Sequence, residues 1–173
     1  MKKMFFGFCT MAAFFMACNN NPGTTASSST SSITLPYKAG YTTDFNNNVS
    51  DSDLLLVLNS YKYWENGDFK AIRSTMGDSM MVDASDGFKF NGRTDTLMKT
   101  WQTFRDSLST VAIKMDVWLK NHSLKDSTNY INVWYKEIDT YKSGRVDSAN
   151  FADVNMVKNG KIVWYAQFKQ KIK

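Results

Sequence analysis

The sequence predicts an α+β domain, with three helices packed on a long, curved, mainly antiparallel sheet. Two observations carry that prediction. Apolar residues recur every three or four positions through residues 50–76 and 94–108, then every second position from Val111 onward. Three short polar segments, Lys125-Asp126-Ser127, Ser143-Gly144 and Asn159-Gly160, punctuate the second region with residues suited to hairpin turns. Helices first and strands afterwards is the order of an α+β fold.

Ser50 to Glu65 reads as the first helix. Leu54, Val57, Leu58, Tyr61 and Trp64 share one face, Ser50 or Ser52 can cap it, and Asp51 and Asp53 sit near its positive end. Gly67 supplies a left-handed stop. Asp68 caps a second, short helix through Met76, with Phe69, Ile72 and Met76 on one side and Gly77 ending it. Met80–Val82 and Phe88–Phe90 read as two short strands around Asp86-Gly87, and Asn91-Gly92 as a further turn. Thr94 can cap a third helix carrying Leu97, Trp101, Phe104 and Leu108. Four strands follow, at about 110–122, 129–141, 145–158 and 161–171. Their short turns make sequential strands antiparallel neighbours.

This order of elements resembles the nuclear transport factor 2-like superfamily, a cone made by a bent sheet wrapped on helices. The resemblance covers residues 50–171. Its marks are Trp64-Glu65-Asn66-Gly67-Asp68 closing the first helix, Gly92 before the third, and Asn159-Gly160-Lys161-Ile162 opening the last strand. Members include isomerases, dehydratases and polyketide cyclases, beside many solitary bacterial domains. For the ketosteroid isomerases, the resemblance implies an oxyanion-hole Asp at Asp153, counting back from the Asn-Gly-Lys-Ile turn. Counting forward from Asn66-Gly67-Asp68, the base falls on Ala84, beside Asp83. The oxyanion-hole Tyr falls on Ser60, beside Tyr61. Only Asp153 carries the family residue, and a one-residue slip in a strand turns a side chain to the opposite face.

The cone implies a pocket, whose expected ligand-binding residues are Trp64, Trp101, Phe104, Met115, Phe151 and Asp153. The catalytic candidates are Asp153, Asp83 and Tyr61. Asp153 sits mid-strand in Phe151-Ala152-Asp153-Val154-Asn155-Met156-Val157; turned inward, its pKa would rise and fit it for acid chemistry. A carboxylate paired across the sheet with Lys or Arg is the plainer expectation. Asp83 is expected as a turn residue, Glu137 and Asp139 as solvated hairpin charges, and His122 as an exposed strand end. No serine elbow and no glycine-rich phosphate loop is present.

The first eighteen residues have the layout of a secretory signal. Lys2 and Lys3 are followed by an apolar run from Met4 to Ala17, too short for the ~20 residues that span a bilayer. Cys18 after Ala17 resembles a bacterial lipobox, so residues 1–17 are expected to leave and Cys18 to carry lipid. Asn19, where inner-membrane lipoproteins often have Asp, favours by resemblance the outer membrane of a Gram-negative bacterium. Residues 18–43 then hold the lipidated Cys and a flexible spacer; Asn19 to Ser32 is almost wholly Asn, Ser, Thr, Gly and Pro. The domain is expected over 44–173, with length enough for one core.

Composition narrows the function classes. Without Lys2 and Lys3, the 21 basic residues fall to 19 against 16 acidic, a net +3 too scattered to argue for nucleic acid. The two Cys, Cys9 and Cys18, lie outside the domain, so it has no internal disulfide. With a single His, His122, a zinc site of Cys and His is excluded within one chain, and neither metal nor cofactor is expected. Trp134 and Tyr135 face opposite ways on one strand, as do Trp164 and Tyr165 on another, so large aromatics lie on both sheet faces. Superfamily members often dimerise through that sheet, and a homodimer is expected. The expected function is a membrane-tethered module that binds a small, mostly apolar molecule without catalysis. Its rivals are an acid–base isomerase or dehydratase using Asp153 with Tyr61 or Asp83, and an interaction module working through the sheet face.

Cys18→Ala should abolish incorporation of labelled lipid and release the protein from the membrane fraction. A variant that carries no label yet stays in the membrane would sink the lipoprotein reading.

Overall fold

The computed structural model describes residues 36–172. The expected signal, Cys18 and most of the spacer lie outside them. The compact unit begins at Ala39, a few residues before the expected boundary. Among the described residues no helix is long and apolar enough to cross a membrane.

Strand β1 (Phe45–Asn46) precedes helix α1 (Asp51–Asn66). Ser50 Oγ accepts from Asp53 N at 3.1 Å, and Asp51 and Asp53 lie in the first turn, where carboxylates meet the positive end of the helix. Gly67 ends the helix at φ 69°, its N–H bonding back to the Trp64 and Tyr63 carbonyls. Asp68 Oδ1 accepts from Ala71 N at 2.9 Å and caps α2 (Phe69–Thr75).

Helix α2 then passes directly into β2 (Met76–Asp83), so Gly77 is a strand residue and not a helix stop. Strand β2 forms a hairpin with β3 (Lys89–Arg93) across Asp86-Gly87. Asn91 and Gly92 pair with Met81 and Met80 inside this ladder, so they do not turn the chain. Helix α3 (Thr94–Arg105) follows at once. Arg93, not Thr94, holds its N-cap position, without a side-chain cap bond. The fully buried Thr94 hydroxyl donates instead to the Gly77 carbonyl, tying α3 to β2. Leu108 opens β4 rather than extending α3.

The remaining strands are β4 (Leu108–Ser123), β5 (Thr128–Tyr141), β6 (Val146–Lys158) and β7 (Lys161–Lys171). They agree closely with the segments of period two. The seven strands form one sheet in the order β1-β4-β5-β6-β7-β2-β3, antiparallel except where β2 pairs with β7. A bulge at Asp116 interrupts β4 between Met115 and Val117, and another falls between Met156 and Val157 of β6. Such bulges bend the strands and curve the sheet over the helices.

Alternation assigns the two faces. Ile131, Val133, Tyr135 and Glu137 of β5 are buried, as are Ala149, Phe151, Asp153, Asn155 and Val157 of β6. These point inward and pack with Val57, Tyr61, Ile72 and Leu97 from the helices. Polar contacts fix the helical end of this core. Arg105 donates to the Trp64 and Glu65 carbonyls at 3.2 and 2.9 Å, capping the C-terminus of α1 with a positive charge. Glu65 Oε1 accepts from Ile113 N at 2.7 Å, where β1 does not reach the edge of β4.

The β6–β7 hairpin depends on local backbone chemistry. Asn159 and Gly160 both have positive φ, 51° and 65°, as a two-residue hairpin turn of this twist requires. Nothing lies within 4 Å of where a Cβ on Gly160 would sit, so Gly160→Ala isolates backbone strain from crowding. It should cost about 1–2 kcal/mol in chemical denaturation without altering the native circular dichroism spectrum. An unchanged midpoint would contradict the strain assigned here.

Candidate functional site

Three tyrosine hydroxyls converge on one carboxylate oxygen at the centre of the inner face. Tyr61, Tyr135 and Tyr165 donate to Asp153 Oδ2 at 2.8, 2.8 and 3.0 Å. Register explains the meeting. Asp153 lies opposite Val133 on β5 and Gln167 on β7, so Tyr135 and Tyr165 are its diagonal neighbours. Diagonal pairs on one face are within reach of long aromatic side chains. Tyr61 reaches down from the buried face of α1. Outside these three, Gln167 Nε2 donates to the hydroxyls of Tyr135 and Tyr165, and Asn155 Nδ2 donates to that of Tyr61 at 3.1 Å.

The carboxyl group is 1% exposed, and burial pushes its pKa up to about 7 against the pull of the three tyrosine donors. Burial also raises all three tyrosines well above their ordinary value, with the Asp153 charge adding to it, so they stay protonated donors. Asp153 Oδ1 is buried and has no hydrogen-bond partner among the described residues. A carboxyl held this way can exchange a proton near neutrality and accept a hydrogen bond through its free oxygen.

A second acidic group lies further along the same face. Glu137 and Asp139 are two residues apart on β5, and both are raised, chiefly by burial, with the Asp139 charge adding to the rise of Glu137. Glu137 is buried, contrary to its expected place among solvated hairpin charges. The Trp64 indole stands against its carboxylate. Trp64 stacks on Phe104, with centroids 6.2 Å apart and planes at 8°, and meets Trp101 edge-on at 6.4 Å. Trp101 in turn meets Tyr165 at 6.1 Å, and Tyr135 stacks on Phe151 at 5.3 Å. Met115 lies opposite Tyr135. Phe151 is part of the core, Trp64, Trp101 and Met115 pack against it, and Asp153 is buried on the same sheet face, whereas Phe104 stacks on Trp64 with 46% of its surface exposed.

Asp83 is not brought to this site. It ends β2 opposite Ala166 on the outer face, where it accepts from Trp164 Nε1 at 3.0 Å and meets Lys89 at 3.5 Å. Tyr61, rather than the counted Ser60, faces Asp153; Ser60 bonds back to the Val57 carbonyl of its own helix. His122 is half-buried and pairs through Nδ1 with Asn129 Oδ1 at 2.6 Å. Asp153 meets tyrosines in place of the Lys or Arg that a cross-sheet ion pair would need. Tyr135, Tyr165 and Gln167 are the site residues that sequence reasoning did not assign; the alternation of β5 and β7 held the only signal for them. Among the described residues no group of His, Cys, Asp and Glu could hold a metal ion.

The outer face has a different character. An open groove of about 580 Å³ is lined there by Tyr41, Phe45, Met81, Tyr130, Val154, Met156 and Trp164, with Asn121 and Asn132. Val117, Leu119, Trp134 and Phe168 are exposed on the same face.

No protein-family model matches the chain, and no curated protein matches it. Solved structures do. A nuclear transport factor 2-like protein from Anabaena variabilis is 12% identical, with a TM-score of 0.59 over 73% of this chain and 96% of that one. One from Burkholderia pseudomallei is 16% identical, with a TM-score of 0.56 over 70% and 92%. An epoxide hydrolase of the LEH-like type from M. tuberculosis is 11% identical, with a TM-score of 0.59 over 70% and 84%. The fold is that of the nuclear transport factor 2-like proteins, as the order of elements implied.

The raised pKa of Asp153 makes a signed prediction. Its stabilising contribution is complete below about pH 4 and is lost as pH rises through about 7, because the ionised form is the one that burial disfavours. Between pH 4 and 8 the wild type should lose on the order of 4 kcal/mol relative to Asp153→Asn. Urea denaturation of both proteins across that range checks it; parallel profiles would contradict the assignment.

Proposed function

We propose that this protein is a lipid-anchored, extracytoplasmic domain that binds a small, mostly apolar molecule between its helices and the inner face of its sheet. Asp153 is the polar anchor. One observation carries the reading: a fully buried carboxylate whose Oδ2 accepts three hydrogen bonds while Oδ1 accepts none. An orphaned buried acceptor costs about 1–3 kcal/mol, and a hydroxyl or N–H of a bound molecule removes that cost. The Trp101 ring meets Tyr165, one of the donors to Asp153, and Trp64 and the half-exposed Phe104 continue that aromatic cluster outward. Apolar walls with a few placed polar groups are the usual composition of a small-molecule site.

An acid–base reaction is the second reading. What favours it is a carboxyl poised near neutrality beside three tyrosine donors, on a fold that also serves an epoxide hydrolase. Binding ranks first because no second general acid or base among the described residues touches Asp153 apart from the raised tyrosines.

The outer face supports a further part of the proposal, a homodimer. Trp134, Phe168, Val117 and Leu119 form an exposed apolar surface on the side of the sheet away from the helices. Patches of that kind mark interfaces. Light scattering of the soluble domain at micromolar concentration should give twice the mass of the chain measured, and Trp134→Glu should halve it. A monomeric wild type would remove this part.

Ligand binding is tested by thermal unfolding of the purified protein against sterols, apolar acids and aromatic metabolites. A molecule at a hundred times its dissociation constant should add about 2.7 kcal/mol of stability, and Asp153→Asn should weaken that gain. A panel with no shift would overturn the binding reading. Consumption of a stabilising compound would move the protein to the acid–base reading.

A further inference from the structure

We propose that the open groove on the outer face of the sheet is a second binding site, which takes an uncharged, flat aromatic molecule carrying an N–H or O–H donor. This site is separate from the one on the inner face and does not depend on it.

Register builds the groove. Asn121, Tyr130, Met156, Trp164 and Met81 stand opposite one another in a row across β4, β5, β6, β7 and β2. In the next row Asn132 faces Val154, and Val154 faces Ala166. The shorter side chains of the second row leave a depression beside the long ones of the first. Phe45 from β1, and Tyr41 from the chain leading into it, complete the wall.

The rings are fixed before anything binds. Trp164 Nε1 donates to Asp83 Oδ2 at 3.0 Å. Phe45 meets Tyr130 edge-on, with centroids 6.2 Å apart and planes at 77°. The Tyr41 hydroxyl bonds with Ser123 Oγ at 3.0 Å, and Lys125 Nζ lies 4.6 Å from the centre of the Tyr41 ring while donating to its carbonyl at 2.9 Å. Walls held in this way lose little freedom when a ligand arrives.

Three observations set the chemistry of the ligand. The volume of about 580 Å³ is that of a small-molecule pocket. Among the described residues that line it none is Lys, Arg, His, Asp or Glu, so a charged molecule would lose hydration without gaining a counter-charge. Four of the nine are aromatic and two are Met, and ring faces and thioethers favour another ring over an aliphatic chain. The third observation is a missing donor. Asn132 Oδ1 is buried and has no hydrogen-bond partner among the described residues. Ile131 and Val133, its neighbours on β5, are fully buried on the inner face, so Asn132 projects outward and the groove is the open volume beside its oxygen. Buried acceptors are ordinarily paired, which sets this groove apart from a bare apolar patch. None of its lining residues belongs to the surface assigned to the dimer, where Trp134 and Phe168 lie four residues beyond Tyr130 and Trp164.

Isothermal titration of the purified protein with indole and 1-methylindole tests the proposal, since the two share a ring system and only indole carries an N–H. Indole should bind about tenfold more tightly, the effect of one hydrogen bond to an otherwise unpaired acceptor. Asn132→Leu keeps the bulk of the side chain and removes the acceptor. It should bring indole down to 1-methylindole and leave the latter unchanged. Val154→Phe, at a half-buried position on the groove floor, should weaken both probes by filling the space, and serves if Asn132→Leu does not fold. Indole-3-acetate, an anion at neutral pH, should bind more weakly than indole. Equal affinities for indole and 1-methylindole, tighter binding of the anion, indole binding that a folded variant leaves intact, or no binding of either neutral probe overturns the proposal.

Discussion

A carboxylate with no access to water must be surrounded by donors, and that requirement organises the inner face of this sheet. Asp153 stands mid-strand, and its donors come from three elements far apart in sequence: α1, β5 and β7. Each donor is a tyrosine, so each also contributes a ring to the core. Polar satisfaction and apolar burial are met by the same side chains. The second layer, Gln167 and Asn155, serves the hydroxyls rather than the carboxylate, and fixes where they point. The network is satisfied on Oδ2 and open on Oδ1.

The fold was legible in the sequence because its signals are local. The change of period near residue 110, the caps at Ser50 and Asp68, and the Asn159-Gly160 turn each depend on a few neighbouring residues. The errors were local too. Gly77 and Gly92 resembled stops, yet both lie inside strands: Gly92 pairs with Met80, and Gly77 falls where the register of β2 against β7 shifts between Met76 and Met81. The parallel β2–β7 contact left no mark in the sequence, since it joins segments some eighty residues apart.

The site was legible only in part. Asp153 could be singled out because a carboxylate amid apolar residues of period two is anomalous by itself. Its tyrosines could not be assigned, because whether Tyr135 and Tyr165 flank it depends on two interstrand registers that no short window encodes. Glu137 and Asp139 show the opposite failure. Near a hairpin, charged residues suggest solvent, but Glu137 is buried, with Trp64 from the end of α1 against it. Burial by a distant helix is invisible to local pattern.

The parallel pairing of β2 with β7 also bears on how the chain acquires its structure. Strand β7 follows every other element in sequence, yet it must sit between β6 and β2 before the sheet is continuous. It brings Tyr165 and Gln167 with it. Contacts of such long sequence separation are slow to form, since the entropy of loop closure is lost before they stabilise anything. Helices α1 to α3 and the β4–β6 meander can therefore order early, while Asp153 waits with one of its three donors missing. The donor network and the closed sheet then mature in the same late step, so a chain with β7 undocked exposes the edges of β6 and β2 and leaves Asp153 with Tyr61 and Tyr135 alone.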